Sequence, residues 1–127
     1  MRFHDYHLKG YSVLDSGSRI VLNLAYDYPG TERQESVVVF EDVACYHFKH
    51  TASAILTDLE EVNLDALVAE EAVLLASLAH DHGLAHWKTD AGQYSETLRN
   101  LGMRAWRLES AIGFSGFVIA GNVVGTP

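Results

Sequence analysis

The residues best able to do chemistry crowd into one string, His80-Asp81-His82-Gly83-Leu84-Ala85-His86, which holds three of the chain's seven histidines. Imidazole is the commonest protein ligand for transition metals and titrates near neutral pH. The chemistry on offer is therefore metal binding by His80, His82 and His86. On a continuous helix, positions 82 and 86 share a face and 80 lies well round the cylinder. Gly83 breaks such a helix, and a loop there could bring all three together, with Asp81 or Asp90 as a fourth ligand. The spacing matches no structural zinc pattern, and histidines decorating a helix end and a loop are the plainer reading. His4-x2-His7 and His47-x2-His50 are poorer ligand pairs, because strand alternation sends positions three apart to opposite faces.

Nucleophilic chemistry finds no support. Gly113-Phe114-Ser115-Gly116-Phe117 places its second glycine one position too early for a nucleophile elbow, and it leads into a strand rather than a helix. Cys45, the single cysteine, falls inside an expected strand and reads as a small packed hydrophobe. No metalloprotease, P-loop or dinucleotide signature is present, so no cofactor is expected. The carboxylate pairs Glu41/Asp42, Glu60/Glu61 and Glu70/Glu71 read as solvated faces. The chain thus points to a non-enzymatic binding protein, with a small metal-binding protein or metal-dependent enzyme using His80/His82/His86 as the alternative.

Charge narrows the partners. A formal net charge of −8 repels phosphate, which argues against nucleic acid and anionic membrane; acidity that only keeps the protein soluble is the plainer reading, and a basic protein or cations are what it would otherwise attract. The first dense acidic stretch, Asp58, Glu60 and Glu61 with Asp65 close behind, is the candidate face for such a partner. Trp87, in an expected loop between His86 and Lys88, is the candidate exposed aromatic. An open strand edge pairing with its own copy in a homodimer is a third possibility.

The elements that must position these residues follow from hydrophobic period. Ile20, Leu22, Leu24, Tyr26 and Tyr28 alternate as one strand face, and Tyr11–Leu14 pairs with that strand across the turn cluster Asp15-Ser16-Gly17-Ser18. Tyr28-Pro29-Gly30-Thr31 fits a type II turn. Further strands are expected at 35–41, 43–50 and 54–59. Leu64, Leu67, Val68, Leu75, Leu78 and Ala79 then form the stripe of one long helix over 65–82, capped by Asn63 or Asp65 and stopped by Gly83. A short helix is expected over 93–101. Two strands closing as a C-terminal hairpin follow, with the turn or bulge at Gly113–Gly116 and with Trp106, Leu108 and Ile112 on the buried face. The fold expected is α+β: an antiparallel sheet, N-terminal meander plus C-terminal hairpin, packed against one long and one short helix.

With 48% hydrophobic and 20% charged residues over 127 positions, the chain has the make-up of one packed globular domain spanning 1–127. Its start lacks the apolar stretch of a signal peptide, and no apolar run spans a bilayer, so a cytoplasmic location is expected. Phe3-His4-Asp5, Ile20-x-Leu22-x-Leu24, Val37-x-Val39-Phe40-Glu41-Asp42-Val43 and the tail Trp106-x-Leu108-x-Ser110-x-x-Gly113-x-x-Gly116-Phe117-Val118-Ile119-Ala120 together resemble small bacterial families of unknown function, some assigned as immunity proteins of toxin systems. The resemblance implies a cytosolic, single-domain, non-enzymatic α+β protein of unknown or neutralising role. It carries over no catalytic residue.

Overall fold

The computed structural model describes residues 3–126. It shows an antiparallel sheet in the order β1-β2-β3-β4, with β1 at His7–Leu14, β2 at Arg19–Tyr26, β3 at Gln34–Val62 and β4 at Arg104–Thr126. Three helices lie between β3 and β4: α1 at Leu64–Glu70, α2 at Ala72–His82 and α3 at Ala91–Asn100.

The β1–β2 hairpin forms as its sequence dictates. Val13 pairs with Ile20 and Tyr11 with Leu22 around a 3-10 turn at Asp15–Gly17. The turn after β2 closes with the Thr31 amide donating to the Tyr28 carbonyl at 3.1 Å, and Gly30 supplies the positive φ of 81° that a type II turn requires.

Three expectations are corrected. The segments 35–41, 43–50 and 54–59 are not separate strands but one 29-residue strand, β3. Residues that look like breakers are absorbed as bulges instead. Asp42 takes a left-handed φ of 53°, and the register slips between Val43 and Cys45 and again between His50 and Ile55. The C-terminal hairpin is likewise replaced by one 23-residue strand, β4, which pairs with β3 along its whole length. Gly113 is a bulge and not a reversal. Ile112 consequently leaves the buried face and is 66% exposed, while Trp106 and Leu108 are buried as expected. Finally, the long helix over 65–82 is two helices, broken at Glu71 (φ −100°, ψ 16°).

The long β3–β4 ribbon bends where both strands are irregular, near 50–55 and 112–114. Close approach demands glycine there: a Cβ on Gly113 would lie 1.9 Å from the Ser53 carbonyl oxygen. Past the bend, β3 returns to the start of β1, where His7 pairs with Ile55 and the Asp5 amide donates to the Leu56 carbonyl at 2.8 Å. The sheet therefore folds over itself and encloses a core of Leu8, Ile20, Leu22, Leu24, Phe40, Leu56, Trp106 and Leu108, among others. Its opposite face carries a second core, where Phe117, Ile119 and Ala105 meet Leu67, Val68, Leu75, Tyr94 and Leu98 from the helices. One sheet thus has two apolar faces, which is why β4 shows the unbroken buried run Phe117–Ala120.

Candidate binding surface

The histidine string sits where α2 ends. His80 and His82 occupy its last turn, and Gly83 (φ 77°) stops it with its amide on the Ala79 carbonyl. The string does not converge. His80 Nδ1 lies 3.0 Å from its neighbour Asp81, whose carboxyl is held below its usual range chiefly by that contact, with Ser77 adding a further hydrogen bond. His82 turns to a shallow 380 Å³ depression lined by Cys45, Leu78 and Leu84. His86, exposed and left-handed at φ 72°, is tied down by its backbone, since its carbonyl accepts from Gln93 Nε2 at 3.0 Å. Among the described residues no three His, Cys, Asp or Glu side chains are grouped to hold a metal ion.

Gln93 organises the loop that carries these residues. Asp90 caps α3 by accepting from the Gln93 amide at 2.8 Å, and Gln93 Oε1 accepts in return from the amides of Lys88 and Thr89. Held this way, Trp87 is half-buried against Tyr94, with ring centroids 5.4 Å apart. It is not the exposed aromatic; Tyr11 and Tyr46, each 36% exposed, are. Cys45 is buried beside Tyr94, and burial pushes its thiol up to about 11, the Tyr94 hydroxyl acting the other way. Burial, then the neighbouring Cys45, also raises the Tyr94 hydroxyl.

The four acidic residues singled out by sequence are divided by the fold. Strand alternation sends Asp58 and Glu60 to the face that carries the helices and Glu61 to the other, because Leu59 between them pairs with Leu108 in the enclosed core. Glu61 is engaged by Arg104, whose Nε donates to it at 2.9 Å, and this bond is the main cause holding its carboxyl below the usual range. Asp65 is clasped by Arg99 through two bonds of 2.8 and 3.0 Å and accepts from the Ser95 hydroxyl. Neither offers a free charge to a partner.

Asp58 and Glu60 instead join carboxylates that are distant in sequence. Asp58 stands directly opposite Glu109 on β4, and Glu60 directly opposite Arg107. Arg107 is already taken by Glu70 and by Glu71, the latter at 3.2 Å; burial lowers its basicity, and the two carboxylates more than offset this. Glu70 and Glu71 thus hold the Arg107 guanidinium, and Asp58, Glu60 and Glu109 share its face of the β3–β4 ribbon. Lys49 and His47 lie at the margin, along the cleft shared by Glu71, Arg107 and Glu109. Asp58, Glu60 and Glu109 have no cationic partner among the described residues. Sequence reasoning missed Glu70, Glu71 and Glu109. Arg107-x-Glu109 on one strand face was the available signal, but strand register was needed to set it beside Asp58 and Glu60.

No family model, no curated protein and no solved structure matches this chain. Among the described residues no helix is long and apolar enough to cross a membrane.

Proposed function

We propose that this protein acts by binding, without chemistry of its own, and that a basic protein docks on the face formed by Asp58, Glu60 and Glu109. The observation that carries this reading is the Asp58–Glu109 pair. Like charges directly opposite on neighbouring strands weaken a sheet, and among the described residues neither member of this pair is in an ion pair. A cationic partner would relieve it on binding, so a cost in the free protein becomes affinity in the complex. The resemblance to immunity proteins gives the reading a biological form, the neutralisation of a basic toxin domain.

The test uses opposed signs. Asp58→Asn combined with Glu109→Gln should stabilise the free protein at low salt, by about 0.2–1 kcal/mol in chemical denaturation. The same change should slow association with the cationic protein captured from the native host. That association should itself slow with salt, because surface charges are screened beyond about 8 Å at physiological strength. A captured partner that binds the double variant as fast as the parent would remove this face from the reading.

A further inference from the structure

The 380 Å³ depression beside Cys45 is built from three segments: the β1–β2 turn at 16–18, β3 at 43–46, and the end of α2 with the residues just after it. Two of these walls are held in costly backbone conformations. Among the described residues, three of the five non-glycine residues with left-handed φ stand on this side: Asp15 (52°), Ser16 (57°) and Asp42 (53°). The Val43 amide donates to the Ser18 carbonyl at 2.9 Å and fastens the turn to the strand. Such conformations persist where surrounding contacts hold them, and they gather at ligand clamps. The lining has the matching chemistry. Val43, Leu78 and Leu84 are half-buried and Cys45 is buried, which makes an apolar floor. At the rim the Ser18 hydroxyl is bonded to the Asp15 carbonyl. Ser16, Tyr46 and His82 are exposed and make no side-chain hydrogen bond among the described residues.

We infer that this depression binds a small, uncharged, mostly apolar molecule carrying a hydroxyl or carbonyl group. Its volume falls at the low end of the roughly 300–1,000 Å³ range of ligand sites, where an apolar lining holds the body and a few polar groups orient it. Charge decides against an ion. Charged residues make up 20% of the chain, yet no Asp, Glu, Lys or Arg lines the depression. A bound ion would give up water there without gaining a permanent opposite charge. The negative end of the α2 dipole, beside His82, further disfavours an anion. A neutral imidazole and two hydroxyls can each donate and accept, which suits a hydroxyl or a carbonyl. The depression shares no residue with Asp58, Glu60 and Glu109, so losing either site leaves the other intact.

The probe is 4-methylphenol, an apolar ring with one hydroxyl that is uncharged at neutral pH. Titrated into the full chain labelled with nitrogen-15, it should shift the amide resonances of 16–18, 43–46 and 78–85 together, along one saturation curve. Toluene lacks the hydroxyl, and 4-methylbenzoate puts a charge in its place; each should bind about fivefold more weakly or worse. Ala85→Trp at the exposed rim and Ala44→Leu at the floor take up the space, and should each weaken 4-methylphenol about tenfold with the circular dichroism spectrum unchanged. His82→Ala should weaken 4-methylphenol and leave toluene unchanged, a difference that a loss of shape alone would not produce. No localised shift at any soluble concentration overturns the inference. So do shifts spread over other apolar surface, such as the exposed Tyr11 and Ile112, or shifts that survive both filling variants. Binding of 4-methylbenzoate or toluene as tight as that of 4-methylphenol overturns it too, because the ligand would then be an ion or would need no polar group.

Discussion

Trp106 shows how much one residue contributes where the sheet folds over. It is 3% exposed, packs edge-on to Phe40 at 5.5 Å and lies under the Arg104 guanidinium at 5.1 Å. Trp106→Ala should cost about 3–5 kcal/mol, a large part of the roughly 5–15 kcal/mol such a protein holds, as read by chemical denaturation. His86→Ala should be nearly neutral in the same measurement, because its ring is exposed and its loop is held by backbone bonds to Gln93. Cys45, its thiol pushed up to about 11, should resist alkylation at neutral pH in the native protein and react once denatured, as mass spectrometry would show. Glu61 gives a pH signature. Its carboxyl is depressed in the folded state, so its contribution is present above the unfolded carboxylate range and is lost as pH falls through the folded value. Glu61→Gln should therefore flatten the acid limb of the stability curve. The effect should be no more than about 1 kcal/mol, because the pair is half exposed to solvent.

Among the elements, the helix ends were the most legible. Asn63 caps α1 by accepting from the Ala66 amide at 2.9 Å, and Gly83 and Gly102 stand just past helix ends with φ of 77° and 78°. Asn63→Ala should lower stability by about 1 kcal/mol. The break at Glu71 was not legible, because the apolar stripe continues through it; it falls where Glu70 and Glu71 both reach Arg107 on the sheet. Strand continuity was hidden for a related reason. Asp42 and Gly113 are residues of turns and of bulges alike, and only the partner strand decides between the two. At Gly113 the partner is the Ser53 carbonyl, so Gly113→Ala forces a left-handed Cβ into occupied space. The bend should lose at least about 2 kcal/mol in denaturation. Gly30→Ala, with open space around the added methyl, should suffer from the backbone conformation alone and lose less.

For the molecule as a whole, alternation and period were enough to specify an antiparallel α+β protein. They are local properties, carried by side chains two, three or four positions apart, and they marked Ile20, Leu22, Leu24, Trp106 and Leu108 as core. The tight turn after β2 and the hairpin at Asp15–Gly17 were equally local, since Gly and Pro impose their own backbone angles. What tertiary structure alone decided was which residues far apart in the chain become neighbours. Arg104 neutralises Glu61, forty-three positions away, and Arg99 neutralises Asp65, so half of the acidic stretch is consumed internally. Register brings Glu109 opposite Asp58 and composes the acidic face from two strands that are distant in sequence. The same holds for the open edge of β4: each strand carries a full set of backbone donors and acceptors, and only the arrangement of strands determines which set is left unpaired.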